Sequence, residues 1–290
     1  MSFFKIVTDS TADLPAEYLK DNDITEFFLP ATIAGKTYRS LTELPLKDFY
    51  DMMRNGERTQ TSQVNPDEAK EGLLKLIEEG CKEILYIAFS SGLSGTYNSA
   101  RIAAEDIKET HPDVKLIVID TLAASLGEGL LVYYAVEMRK AGKSIDEVAA
   151  WVEEHKLNLV HIFTVDDLNH LYRGGRVSRS AAFIGTMLNI KPVLHVDDNG
   201  HLIPLGKERG RKKSLLELVN YMEEHMGSFK NDNDVFFISH GDCEEDAFFV
   251  KEEVQKRFGI KNCLINPLGF TIGAHAGPGT VALFFLGDNR

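Results

Sequence analysis

The chain has 290 residues, enough for about two domains and a sizeable core, and its 43% hydrophobic and 26% charged residues are an ordinary balance for a soluble protein. A net charge of −12 argues against a general nucleic-acid or membrane-surface binder; the three cysteines, Cys81, Cys243 and Cys263, form no CxxC pair and point to a reduced cytoplasmic protein with no disulfide framework and no zinc site. The opening MSFFKIVTDS holds only a short apolar run, so neither a signal peptide nor a spanning helix is expected.

Phe3 to Asp9 reads as a first strand ending in the polar Asp9-Ser10-Thr11, and Pro15 opens a short helix. Ile24 to Leu29 is a second strand, and Ala31 to Tyr38, with Gly35 in its middle, suggests a hairpin. Leu46 to Arg54 is a helix candidate stopped near Asn55-Gly56. The polar extended stretch Thr59 to Gln63 runs into a strong helix start: Asn65 can cap, Pro66 takes the first helical position, and Glu68 stands three residues after the cap. Ala69, Leu73, Leu76 and Ile77 share one face of that helix, and Gly80 ends it.

Ile84, Leu85, Ile87 and Phe89 then read as a buried parallel strand, followed by a loop, Ser90 to Thr96, with four hydroxyls and two glycines in seven residues. Two readings fit this loop. One is an anion site, where hydroxyls and unpaired N–H groups meet at a helix N-terminus; the other is an ordinary capped turn. Val114 to Ile119 is a further strand ending at Asp120-Thr121, and helices are expected over 127–140 and 144–155. Strands alternating with helices indicate a parallel sheet whose ligands sit beyond the carboxyl ends of the strands. Asp9-Ser10, Ser90 to Ser94 and Asp120-Thr121 all fall there, which predicts one crevice.

The style changes at the strand Leu159 to Val165, which leads to Arg173-Gly174-Gly175-Arg176 and then to Ala181 to Leu188, apolar nearly all round and expected to be buried in protein or along an apolar ligand. Asn199-Gly200 is a hairpin signal between the strands Lys191 to Val196 and His201 to Gly206. Helices over 211–225 and 244–257, with strands over 235–239 and 262–265, make a second, smaller α/β unit. The chain closes with Gly273 to Thr280 (GAHAGPGT), expected as a loop, and a strand over 281–286. From His170 to Lys213 there are nine Lys or Arg against three acids, the one strongly basic segment of an acidic chain and either a solvated face or a docking surface.

Around Ser94 the sequence is Gly92-Leu93-Ser94-Gly95-Thr96, so Thr96 stands where the GxSxG elbow requires glycine. A Ser94, His275, Asp120 triad remains an alternative that this departure weakens. No P-loop, no GxGxxG and no HExxH occurs. His275, among Gly273, Gly277, Pro278 and Gly279, is either a core histidine or a site histidine able to donate to a carboxylate. Arg173 and Arg176 about a Gly-Gly turn suit an anion or a partner surface equally.

Taken together, Asp9-Ser10-Thr11, Thr61-Ser62-Gln63, Ser90 to Tyr97 (SSGLSGTY), Asp120-Thr121, Arg173 to Arg176 (RGGR) and GAHAGPGT resemble the DegV family, the fatty-acid-binding partners of bacterial fatty acid kinase. The likeness covers essentially the whole chain, with the motifs in the family's order. It implies an α/β/α N-terminal domain with a parallel sheet (1–158), a C-terminal α/β domain with a mixed sheet (159–290), and a long-chain fatty acid between them. Carried over by motif, the carboxylate would be held by Thr61 and Ser94 with neighbouring Ser62 and Gly95, and His275 would lie close to the head group. Ser91 and Asp120 are secondary candidates, and Phe183, Ile184 and Met187 of the apolar segment are candidate pocket residues. Arg173 and Arg176 would belong to the region meeting the kinase. The resemblance further implies that this chain is no catalyst and carries no cofactor or metal. It would present the acid to a separate ATP-dependent kinase with a dihydroxyacetone-kinase-like domain, which makes the acyl-phosphate for phospholipid synthesis. No nucleic-acid partner and at most transient membrane contact are expected; a Ser/His lipid esterase or thioesterase is the alternative. Val64-Asn65 and Phe270-Thr271 depart from the Pro-Ser and Pro-Val common in the family, which leaves the acyl preference open.

Overall fold

The computed structural model describes residues 4–178 and 189–290. The apolar segment with Phe183, Ile184 and Met187 therefore lies outside the described residues. Four strands, β1 (Lys5–Asp9), β2 (Ile24–Phe27), β6 (Glu83–Ala88) and β7 (Lys115–Asp120), form an all-parallel sheet in the order β2-β1-β6-β7. A short helix, α1 (Ala16–Asp21), joins β1 to β2.

Alternation along these strands decides which helices cover which face. Ile6, Leu85, Ile87 and Ile119 pack against α5 (Leu126–Lys140) and α6 (Ile145–His155). Their neighbours Val7, Ile84, Tyr86 and Ala88 pack against α3 (Pro66–Glu78) and α4 (Thr96–Thr110). The start of α3 is the reciprocal capping box expected from its sequence: Asn65 Oδ1 accepts from Glu68 N–H, and the Glu68 carboxylate accepts from Asn65 N–H.

A six-stranded mixed sheet uses only residues from Leu159 onward: β8 (Leu159–Thr164), β9 (Ile190–Val196), β10 (Leu202–Arg209), β11 (Val235–His240), β12 (Asn262–Pro267) and β13 (Val281–Leu286), in the order β10-β9-β8-β13-β11-β12. Only the β11–β12 pair is parallel. One face is covered by α8 (Arg211–His225) and α9 (Glu244–Phe258). The other turns back to α5, whose Leu130, Leu131, Val132, Ala135 and Val136 are all fully buried because the helix lies between the two sheets. Each of the buried leucines and valines contributes about 1.5–3 kcal/mol of transfer free energy, so α5 is the main apolar weld between the parallel and mixed sheets.

A third sheet was only half expected. The hairpin β3 (Ala31–Ile33) and β4 (Lys36–Tyr38) forms about Gly35, and β5 (Thr59–Thr61) joins it on the other side of β3, pairing Ala31 with Thr61. This layer packs with α2 (Leu46–Arg54) around Phe49, Tyr50 and Phe270. One expectation is corrected outright: the first part of the closing glycine-rich segment is a helix, α10 (Phe270–Ala276), with His275 in its last turn. Gly273 is there for proximity, since a Cβ on it would come 2.5 Å from Tyr50 Oη. The loop chemistry begins only at Gly277 and Gly279, both at positive φ.

Candidate functional site

The loop after β6, the end of β5, the residues just before α5, the inner faces of β8 and β13, and α10 enclose a cavity of about 220 Å³. One part of its wall is polar. Thr61, Ser62 and Gln63 come from β5 and the residues after it, Ser94 and Gly95 from the α4 N-terminus, His275 from α10, and Arg176 from the turn after α7 (Asn169–Arg173). Thr61 Oγ1 and His275 Nε2 lie 2.8 Å apart across 214 residues of sequence. Ser94 Oγ lies 3.0 Å from Thr96 Oγ1 and accepts from Thr96 N–H, so it is tied to the first residue of α4 while lining the cavity. Val64 N–H donates to Thr96 Oγ1 at 3.3 Å, which ties the Thr61 segment to the same helix start. The Gln63 amide lies close over Gly95: a Cβ there would stand 2.2 Å from Gln63 Oε1, so a side chain at this position would displace the amide from the wall.

Burial, together with the nearby Arg176 guanidinium, pushes the His275 imidazole down to about 4. The ring is therefore neutral at physiological pH. Its Nδ1 is buried without a hydrogen-bond partner. Gly174 closes over that nitrogen so tightly that a Cβ on it would sit 2.0 Å from Nδ1. The Arg176 guanidinium turns inward, with Nε and Nη2 donating to the Leu93 carbonyl (3.2 and 2.9 Å) and Nη1 to the Gly174 carbonyl (2.5 Å). Two residues of the RGGR motif thus shape the polar wall.

The rest of the wall is mostly apolar, with Leu29, Phe89, Leu93, Phe163, Leu268 and Phe284 prominent, and Ser125, Thr271 and Thr280 add further hydroxyls. His161 also lines it, T-shaped against Phe284, with Nε2 accepting Ala124 N–H at 3.2 Å and Nδ1 3.2 Å from the Leu159 carbonyl. Burial holds this imidazole neutral as well. Among the described residues, no group of His, Cys, Asp or Glu is arranged to hold a metal ion, and no helix is long and apolar enough to cross a membrane.

The sequence profile of the DegV family, described as uncharacterised proteins, matches residues 3–288. The chain belongs to the DegV family. A DegV domain-containing protein of Clostridium perfringens is 48% identical over 100% of this chain and 99% of its own, and one of Lactococcus lactis is 40% identical over 97% and 96%. Among solved structures, a DegV lipid-binding protein of Thermotoga maritima superimposes with a TM-score of 0.85 at 32% identity, covering 99% of both chains. A DegV protein of Thermus thermophilus described by its fatty acid binding gives 0.87 at 30%, covering 98% of this chain and 99% of that one. DegV of Bacillus subtilis, a fatty acid binding protein, gives 0.84 at 30%, with the same coverage.

In this DegV chain the motif residues Thr61, Ser62, Ser94, Gly95 and His275 all line the one cavity. Ser91 and Asp120 do not line it. Ser91 is exposed, and Asp120 Oδ1 accepts from the backbone N–H groups of Ser91 and Leu122, bracing the turn. Asp9, at the end of β1, likewise faces inward and accepts from Tyr86 Oη–H and Phe89 N–H. Beyond the carboxyl ends of the strands, Leu29 after β2, Phe89 and Leu93 to Gly95 after β6, and Ala124 and Ser125 after β7 reach the cavity, while the acids Asp9 and Asp120 hold neighbouring protein groups. Arg173 is exposed beside His170 Nδ1 at 3.1 Å, whereas Arg176, grouped with it from sequence, is in the cavity wall. Gln63, Ser125, His161, Phe163, Thr271 and Phe284 were not anticipated as lining residues. Period-2 alternation on β8 and β13 pairs His161 with Phe163 and Ala282 with Phe284. The i, i+4 spacing of Thr271 and His275 becomes visible only once α10 is known to be helical.

Proposed function

We propose that this DegV protein binds a long-chain fatty acid in the cavity, with the carboxylate at the Thr61, Ser94, His275 wall and the hydrocarbon against the phenylalanine and leucine wall. The observation that carries the reading is a single cavity that is apolar along most of its wall, yet collects hydroxyls, an amide and an inward arginine in one place. Fatty acid binding by the Thermus and Bacillus relatives supports it. Burying a long acyl chain contributes about 0.8 kcal/mol per CH₂, on the order of 10 kcal/mol before the costs of association. An unpaired buried carboxylate would cancel much of that, so the head group needs local donors. The Thr61, Ser62 and Ser94 hydroxyls and the remaining Arg176 N–H groups can supply them. His275, being neutral, acts through Thr61: its Nε2–H donates to Thr61 Oγ1, which frees the threonine proton for the ligand.

The same reading makes the chain a carrier with no chemistry of its own, presenting the acid to a separate ATP-dependent fatty acid kinase with a dihydroxyacetone-kinase-like domain. It assigns residues 1–158 and 159–290 to two domains with the ligand between them, and exposed Arg173 to the kinase-facing region. Two hydrogen bonds speak against the esterase alternative: Ser94 Oγ is engaged with Thr96, and His275 Nε2 with Thr61. Native mass spectrometry of the purified protein tests the proposal. A bound long-chain acid that is retained by the wild type and lost from a Thr61→Ala, Ser94→Ala double variant is expected. A protein that neither carries nor takes up fatty acid would refute it.

A further inference from the structure

We infer that Asp13 is the positioning residue of the head-group wall: its one buried carboxyl group sets where the His275 helix begins and so where the imidazole meets Thr61. The inference rests on the fatty-acid reading only for its functional consequence. Asp13 ends the short turn after β1 in the left-handed region (φ 50, ψ 30) and is 5% exposed. Its Oδ1 accepts Gly269 N–H at 2.8 Å, and Gly269 is the residue from which α10 starts. Its main-chain carbonyl accepts Asn266 Nδ2–H at 2.7 Å, fixing the end of β12 just upstream. Its Oδ2 accepts from Ser125 Oγ–H at 2.6 Å. Ser125 lines the cavity at the start of α5, holds a strained backbone (φ 56, ψ −148), and lies 2.7 Å from Ser239 Oγ on β11.

One residue thus joins the parallel sheet, the shared helix α5, and the β12–α10 connection. From that connection α10 delivers four cavity residues: Thr271, whose hydroxyl donates to the Leu29 carbonyl at 2.9 Å, then Ile272, His275 and Ala276. A helix of two turns has little stiffness of its own, so a displacement at Gly269 is carried to His275. A hydrogen-bonded site is sensitive to shifts below 1 Å. Glu128 provides the contrast. It is as deeply buried, but its carboxyl group is spent on Thr8 and Thr11 (3.0 and 2.8 Å), both on the parallel-sheet side, and it makes no hydrogen bond to Gly269 or Ser125 among the described residues.

The test compares Asp13→Ala, Asp13→Asn and Glu128→Gln with the wild type, reading palmitate and oleate affinity, thermal stability, and the imidazole ¹⁵N resonances of His275 in ligand-free protein. Asp13→Ala is expected to shift the His275 resonances and to weaken both fatty acids by about tenfold or more. Asp13→Asn keeps an oxygen for Gly269 N–H and tolerates the left-handed backbone, so it restores affinity to within about threefold. Glu128→Gln is expected to lose stability while leaving affinity and the His275 signal in place. If Asp13→Ala does not fold, Gly269→Ala presses the same junction from the other side, since its Cβ would stand 3.0 Å from Asp13 Oδ1, and it carries the same expectation. An unmoved His275 signal in these variants, or an affinity that falls only in step with stability in both the Asp13 and Glu128 variants, overturns the inference. If the wild type binds neither acid, the fatty-acid reading fails, and the His275 resonance still decides the role of Asp13.

Discussion

The sharpest test of the polar wall is a pair of adjacent glycine substitutions whose backbone and packing effects run in opposite directions. Gly174 has helical φ and ψ (−74, −7), so alanine suits its backbone and on that count should stabilise by about 0.4–1 kcal/mol. Its Cβ, however, would stand 2.0 Å from His275 Nδ1, against an ordinary separation of roughly 3.4 Å or more. The imidazole must therefore retreat by more than 1 Å, which breaks the 2.8 Å contact with Thr61. Losing that hydrogen bond is worth about 0.5–1.5 kcal/mol, and the misplaced threonine hydroxyl adds to it at the ligand, so Gly174→Ala should weaken fatty acid binding by about tenfold or more. Gly175 is the converse. Its φ of 73 makes alanine strained, costing about 1 kcal/mol of stability, but nothing lies within 4 Å of the new methyl group. Displacement of a fluorescent fatty acid, read beside thermal melting, separates the two. Gly174→Ala should lose affinity with little loss of stability, and Gly175→Ala the reverse. Equal affinity in both variants would refute the assignment of Gly174 as the backing of His275.

Arg176→Ala should reduce fatty acid retention, because this guanidinium lines the cavity, while Arg173→Glu should leave retention intact and impair only the kinase-coupled reaction; equal behaviour in both assays would contradict the division. Because the His275 imidazole is held down at about 4, fatty acid affinity should show no histidine inflection between pH 5 and 8, and isothermal titration across that range checks it. Burial pushes the carboxyls of Asp9, Asp13 and Glu26 up to about 7, and the proximity of Asp9 adds to the effect on Glu26. A carboxyl whose folded value exceeds its unfolded one stabilises the fold most below the unfolded value, and that contribution is lost as pH rises through the folded one. Glu26→Gln should therefore match the wild type near pH 4 and exceed it in stability at pH 8, by roughly 3 kcal/mol at most; parallel denaturation curves at the two pH values would rule out a buried, proton-holding Glu26.

Local signals carried the fold well wherever the energy that decides an element is itself local. The Asn65-Pro66-Glu68 start of α3 is a capping box in sequence and in space because its donors and acceptors lie within one turn. The Asn199-Gly200 hairpin forms for the same reason, with Gly200 at positive φ. The failures share a cause as well. The glycines of GAHAGPGT read as a loop, yet Gly273 sits inside a helix, at a point where Tyr50, more than 200 residues earlier, leaves no room for a side chain. Asp9 and Asp120 stand at strand ends where ligands commonly bind, but Asp9 is held by Tyr86 Oη–H and Phe89 N–H and Asp120 by the Ser91 and Leu122 N–H groups, partners that sequence spacing does not reveal. Arg173 and Arg176 look equivalent across Gly-Gly, and only the Leu93 and Gly174 carbonyls distinguish the one turned inward from the one left in water.

The polar wall itself is the least local feature of all. Thr61 arrives on an edge strand of the small sheet, Ser94 on a helix start of the parallel sheet, and His275 on a helix that leaves the mixed sheet, so no window of sequence contains the site. Three elements distant in sequence meet there, and each brings at most one or two hydrogen-bonding groups. That distribution has a physical consequence. A carboxylate bound across the three would add hydrogen bonds between the start of α4 and the layer in which the small sheet and α10 already pack around Phe49, Tyr50 and Phe270, so ligand should raise the stability of that junction as well as fill the cavity.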